Sequence, residues 1–193
     1  MIEFFETIKI KDKKIYNLFY HQKRYETTIK KFNGKIYNLA DFIKPPDEKL
    51  YRCKIIYDKK GINDVSFYRY EQKKPTSFKI INIDFDYSFK YLNRDNLEKA
   101  FSNKKECDDI IMVKNNLITD TFSANVAFYH NNKWITPQTP LLRGTTRERY
   151  LQNGLLHAKD IRVEDLSDFK KIALMNAMID FYEVDFCYNY ENN

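Results

Sequence analysis

Residues 86–101 read DYSFKYLNRDNLEKAF, and the period of the apolar residues changes inside this stretch. Upstream the period is two. Ile81, Ile83, Phe85, Tyr87 and Phe89 point one way; Asn82, Asp84, Asp86, Ser88 and Lys90 point the other, as along a strand. Downstream the spacing turns helical and predicts a helix over 91–103, with Leu92 or Asn93 near its start. Lys90 stands on the short bridge between the two. Most lysines in so lysine-rich a chain belong to the solvated surface. A lysine at the junction of two structural halves is a different case, because burial lowers the pKa of an amine until it can act as a base or nucleophile.

Working outward, the first half reads as antiparallel sheet with one or two helices. Residues 2–10 alternate loosely, and KDKK turns them back into 14–19 as a hairpin. From Tyr20 to Phe32 the spacing is helical, with Tyr25, Ile29 and Phe32 on one stripe and Asn33-Gly34 as the stop. A short helical piece over 39–43 ends before Pro45-Pro46. Strand-like runs follow at 50–57, 63–70 and 77–87, separated by DKKG and EQKKP.

The second half carries a sheet of its own. DDIIMVKNNLITD and NVAFYHNNKWITP each read as strand, Asn-Asn turn, strand. TTRERYLQNGLL reads as a helix with threonines at its N-terminal end, and KIALMNAM and DFYEVDF read as closing strands. The expected organisation is therefore α+β in two domains, 1–86 and 87–193, without internal repeats.

Composition narrows the function classes. In 193 residues, 43% hydrophobic content is enough for a core. The formal charge of +6 is spread among Asp and Glu without a basic block, which argues for an ordinary solvated surface rather than a nucleic-acid or membrane face. No apolar run approaches the ~18 residues of a membrane helix. The start MIEFFETIKIKDKK has no signal-peptide core, so the expected location is the cytoplasm. Cys53, Cys107 and Cys187 are odd in number and form no CxxC, as in reduced cytosolic thiols. His21, His130 and His157 show no metal-ligand spacing, and no metal is expected.

Gly144-Thr145-Thr146 opens a predicted helix, where free N–H groups and hydroxyls make an anion site. Arg24 follows His21 by one helical turn, so both lie on one face, which by spacing alone marks an ordinary helix-surface arginine.

KYLNRDNLEKAF (90–101) resembles the lysine motif of the class IV, or fold-type IV, pyridoxal-phosphate aminotransferases and lyases, in which asparagine follows the lysine by three positions, as Asn93 follows Lys90. Four further segments are similar to family motifs, in the family's order: YHQKRYETTIKKF, NLITDTFSANVAFY, LLRGTTRERYL and LMNAMIDFYEV. The resemblance runs from Phe5 to Val184. It implies a two-domain fold like that of D-amino-acid aminotransferase, with pyridoxal 5'-phosphate held between the domains.

In that reading Lys90 joins covalently to the cofactor and shuttles the substrate proton. Arg24 clamps the phosphate bidentately, Thr145 and Thr146 hold it at a helix start, and Ser123 and Asn125 complete the cradle with Asn93. Asp120 pairs with the pyridine nitrogen, where the family usually has glutamate, one methylene longer. Asn176 and Ala177 stand near the substrate carboxylate. The segment before Phe5-Glu6-Thr7 is shorter than the family's, on the substrate side. The resemblance is nearest to aminodeoxychorismate lyase, through KYLNR, FSANVAFY and MNAM. The alternatives are an aminotransferase acting on branched-chain or D-amino acids, and an inactive member that serves as an interaction protein. A small-molecule substrate and a homodimer are the implied partners, with no nucleic acid and no membrane.

Overall fold

The structure, a computed structural model, describes residues 2–72, 74–184 and 187–188. It divides into two compact units, Met1–Gln72 with Phe89–Asn93, and Lys73–Ser88 with Arg94–Asn193. The chain leaves the first unit after Gln72 and returns for Phe89–Asn93, rather than passing once at 86/87.

The first unit is a four-stranded antiparallel sheet in the order β2-β1-β3-β4, formed by β1 (Phe4–Lys11), β2 (Lys14–Ile15), β3 (Tyr51–Tyr57) and β4 (Ile62–Arg69). Asp12 and Lys13 both have positive φ, 52° and 59°, so the first hairpin turns through two left-handed residues that match the twist of its strands. β3 alternates strictly: Tyr51, Cys53, Ile55 and Tyr57 are buried and face the same core as Phe4, Ile8 and Ile10 of β1. Helix α1 (Leu18–Lys31) covers this face, burying His21, Tyr25, Thr28 and Ile29 at helical spacing. It stops at Asn33, whose φ is 54°, and at Gly34. A Cβ on Gly34 would lie 2.7 Å from the Lys59 carbonyl oxygen, so only glycine permits this approach.

Phe89–Asn93 returns to this unit along the edge of β1 that β2 leaves open. The Phe5 N–H donates to the Lys90 carbonyl at 2.9 Å, the Leu92 N–H donates to the Glu3 carbonyl at 2.8 Å, and Phe4 bridges Tyr91. Those bonds hold 90–92 extended. The helix expected over 91–103 therefore begins only at Asp95, as α2 (Asp95–Ser102).

The second unit is built on a long sheet that includes β5 (Ser77–Asn82), β6 (Asp109–Lys114), β7 (Leu117–Thr121), β8 (Asn125–His130), β9 (Lys133–Pro137) and β10 (His157–Lys159). β5 corrects the reading of the first half. It ends at Asn82 rather than 87 and pairs parallel with β6, so it belongs to this sheet and not to the antiparallel one. A parallel pair needs a long crossover, and residues 83–108, with α2, supply it.

The two Asn-Asn hairpins form as expected. Asn115 and Asn116 (φ 53° and 61°) join β6 to β7, and Asn131 and Asn132 (φ 49° and 61°) join β8 to β9. Helix α3 (Thr145–Gln152) follows, and β11 (Ile172–Asn176) pairs with β8 and with β12 (Asp180–Val184). Residues 185–186 of the last expected strand lie outside the described residues. The core of this unit gathers Ile111, Val113, Val126, Phe128, Ile172 and Leu174. Among the described residues no helix is long and apolar enough to cross a membrane, and no cluster of His, Cys, Asp or Glu could hold a metal ion.

Candidate functional site

In the first unit the residues singled out by sequence converge on a side chain that sequence reading passed over. Glu6 lies on the core face of β1, between Phe4 and Ile8, and is fully buried. Arg24 donates from Nε to its Oε1 at 2.8 Å and from Nη2 to its Oε2 at 2.5 Å. His21 approaches the same Oε2 through Nδ1 at 2.6 Å. The shared helix face of His21 and Arg24 thus exists, and what it faces is a carboxylate.

Burial alone would raise the Glu6 pKa. The Arg24 charge and the hydrogen bonds from His21 and Arg24 outweigh it and hold the carboxyl at about 2. Burial pushes the His21 pKa down against Glu6, with the Arg24 and Lys90 charges adding to the depression, so the ring is neutral near neutral pH and Nδ1 donates its proton to Glu6. The Lys90 ammonium stands 4.6 Å from the centre of the Phe5 ring, on a half-buried side chain. Asn93 is exposed, at the end of the returning segment.

The resemblance implies a bidentate grip by Arg24 on the cofactor phosphate; in the structure its Nε–Nη2 edge holds Glu6. The signal for Glu6 was present in FFETIKIK: a period of two puts residue 6 on the same face as Phe4, Ile8 and Ile10. A carboxylate on an apolar face needs a cationic partner.

In the second unit the turn from β7 to β8 places Asp120 opposite Asn125. Thr121 and Ala124 close that turn, with the Thr121 N–H donating to the Ala124 carbonyl at 2.9 Å. Asp120 is buried and accepts from Asn125 Nδ2 at 2.6 Å and from the Leu142 N–H at 2.8 Å. These donors are neutral. Burial lifts its pKa to about 7, against the pull of those hydrogen bonds and of the Arg147 charge.

Asn125 also donates to the Leu142 carbonyl at 2.8 Å, which ties the turn to the approach of α3. Gly144 precedes α3 and brings no capping side chain. Thr145, Thr146 and Arg147 are buried in the first turn, where N–H groups have no intrahelical acceptor. Arg147 donates from Nη2 to the Pro137 carbonyl at 2.8 Å, and its Nε is buried with no hydrogen-bond partner among the described residues. Asp120, Asn125, Thr145 and Thr146 are therefore brought together.

Ser123 is exposed in the same turn, and its carbonyl accepts from Asn176 Nδ2 at 3.3 Å. Asn176 Oδ1 accepts from the Met178 and Ile179 N–H groups, so this side chain shapes the turn that contains Ala177.

The chain has known relatives in sequence and fold. The family model for amino-transferase class IV matches residues 73–185. An uncharacterised protein of Haemophilus influenzae is 37% identical over 186 residues, covering 92% of this chain and 98% of its own length. The crystal structure of a Haemophilus somnus protein, named "putative 4-amino-4-deoxychorismate lyase", superposes with a TM-score of 0.86 at 35% identity, over 92% of this chain and 97% of that one. A Schizosaccharomyces pombe protein, named "putative aminodeoxychorismate lyase", is 32% identical over 78 residues, 38% of this chain and 34% of its own. The matched span of more than half the sequence makes this chain a member of the amino-transferase class IV family.

Proposed function

We propose that this chain is a pyridoxal-phosphate enzyme that converts 4-amino-4-deoxychorismate to p-aminobenzoate and pyruvate. The observation that carries the choice of reaction is the 35% identity, over 92% of the chain, to a structure bearing the lyase name. The cofactor reading is supported by the second unit's own residues. A buried carboxylate with neutral hydrogen-bond donors suits a protonated ring nitrogen, which brings the missing counter-charge. A helix start without a side-chain cap, lined by two buried threonines, suits a phosphate.

Asp120 would meet the ring nitrogen, and Thr145, Thr146 and Arg24 the phosphate, with Asn93, Ser123 and Asn125 around them. Once bound, the cofactor supplies an electron sink next to the amino-bearing carbon. Lys90 Nζ takes the proton from that carbon. Loss of the proton and of the C–O bond to the enolpyruvyl group makes the ring aromatic, and the released three-carbon unit becomes pyruvate on protonation. Asn176 and Ala177 would sit by the substrate carboxylate. A homodimer in the cytoplasm completes the reading; the free buried thiols of Cys53 and Cys107 fit a reducing compartment.

The test starts with purified protein, pyridoxal phosphate and borohydride, which should leave a reduced adduct on Lys90 and none in Lys90→Ala. Supplied with 4-amino-4-deoxychorismate, the protein should release p-aminobenzoate. Glutamate formed from branched-chain or D-amino acids and 2-oxoglutarate, without p-aminobenzoate, would establish the aminotransferase reading instead. An adduct on another lysine would overturn the cofactor assignment.

A further inference from the structure

We propose that Glu6 is a positioning residue, aiming the guanidinium of Arg24 at the cofactor's phosphate; the proposal rests on the cofactor reading above. Strand β1 acts as a common ruler for the two cationic side chains that the sequence singled out. The Phe5 backbone N–H holds the Lys90 carbonyl at 2.9 Å, the Phe5 ring lies 4.6 Å from the Lys90 ammonium, and the next residue, Glu6, holds Arg24 by two hydrogen bonds. β1 is itself fixed on both edges. β3 pairs with it from Phe4 to Ile10, and residues 90–92 bond to Glu3 and Phe5.

An arginine side chain has many rotamers. The Arg24 side chain, 15% exposed, is held in one by a carboxylate with 0% exposure. Glu6 occupies the Nε–Nη2 edge of Arg24 and so fixes the plane of the guanidinium. Its direction is then set by Glu6 rather than by the exposed rim of α1. His21 donates to the oxygen that also accepts from Arg24 Nη2, which keeps the carboxylate plane from turning. Glu6 touches neither substrate nor cofactor in this account and acts only through Arg24.

The test separates positioning from mere stability by comparing two probes that differ only in the phosphate. Dissociation constants for pyridoxal phosphate and for pyridoxal are measured on wild type, Glu6→Gln and Glu6→Asp, each with its unfolding midpoint. Partners that orient a ligand-holding side chain are worth about 10- to 100-fold in affinity at metal sites, and the same order is expected here. Glu6→Gln should lose about that factor for pyridoxal phosphate and less than about twofold for pyridoxal. Combining Glu6→Gln with Arg24→Lys should add little to the loss from Arg24→Lys alone.

If Glu6→Gln does not fold, Glu6→Asp decides, since it keeps the charge and draws the carboxylate back by one methylene; it should show the same selective loss. Equal losses for both probes, or a lowered midpoint with the preference for the phosphate form intact, would overturn the proposal and leave Glu6 a stability residue. A wild-type protein with no preference for the phosphate form would overturn the cofactor reading and this proposal with it.

Discussion

Glu6 in the first unit and Asp120 in the second are both buried carboxylates, and they are held in opposite states. Glu6 has 0% exposure and stays ionised down to about pH 2; Asp120 has 4% exposure and takes up a proton near pH 7. Burial is the largest influence on both and pushes both upward. The difference lies in the company each keeps. Glu6 accepts from a guanidinium through both oxygens, while Asp120 accepts from a side-chain amide and a backbone N–H. Neutral donors lower a carboxyl pKa but do not cancel its charge, so desolvation wins at Asp120 and loses at Glu6. Glu6 is a completed ion pair. Asp120 accepts only from neutral hydrogen-bond donors, and that asymmetry is what favours Asp120 over Glu6 for the ring nitrogen in the function proposed above.

The largest effect that would sharpen this contrast is removal of the Glu6 partner. Arg24→Met leaves a buried carboxylate with only His21 beside it. Breaking such a pair from one side costs on the order of 3–5 kcal/mol. Denaturant unfolding at pH 7.5 should show that loss, and the His21 pKa, followed by NMR, should rise once the guanidinium charge is gone. Arg24→Met at nearly wild-type stability would show that Glu6 is not held ionised by Arg24, and the comparison would fail on that side.

A smaller effect, opposite in sign, is expected at Asp120. Its folded pKa of about 7 lies above the ordinary value of 3.8, so the folded state binds this proton more tightly than the unfolded state does. The contribution to stability is complete below pH 3.8 and is lost as pH rises through about 7. Glu6 behaves in reverse: its contribution is present above pH 4.5 and is lost as pH falls toward about 2. Asp120→Asn should therefore remove a decline on the order of 2–4 kcal/mol between pH 4 and pH 8. A residual slope should remain from Asp109, which burial lifts to about 6. An unchanged pH profile in a folded Asp120→Asn protein would mean that Asp120 is ionised throughout.

How much of this could be read in the sequence depends on distance along the chain. The two Asn-Asn hairpins, helix α1 and the Gly34 stop were legible because each is decided by a few neighbouring residues. β5 was misassigned because its apolar pattern does not say which strand lies beside it, and its partner starts at Asp109, beyond a crossover. The start of α2 was placed too early because hydrogen bonds to Glu3 and Phe5, far back in the chain, hold 90–92 extended. The pair Glu6–Arg24 spans 18 residues, so reading the sequence singled out Arg24 but not the buried carboxylate it faces. Family resemblance, not pattern, found Asp120; the alternation of ITDT says nothing of the Leu142 N–H that reaches it.

The smallest effect tests how the Asp120 site is kept in shape. Asn125 donates through one amide nitrogen both to Asp120 and to the Leu142 carbonyl, and its Oδ1 lies where a side chain on Gly144 would begin. A Cβ at position 144 would sit 2.0 Å from that oxygen, well inside contact distance. The φ of Gly144 is −71°, which any residue adopts, so backbone strain is not the reason for glycine here. Gly144→Ala must therefore push the Asn125 amide aside. Overpacking of this kind costs about 1–3 kcal/mol. Displacing the amide also takes one hydrogen bond from Asp120, and losing a donor to the carboxylate raises its pKa further. Gly144→Ala should then be modestly destabilised and should shift the midpoint of the Asp120-dependent decline to higher pH, while the Glu6-dependent loss at low pH stays where it is. A destabilised Gly144→Ala with an unshifted midpoint would mean that Asn125 packs the turn without tuning Asp120, and the neutral-donor half of the comparison would rest on the backbone N–H groups of Leu141 and Leu142.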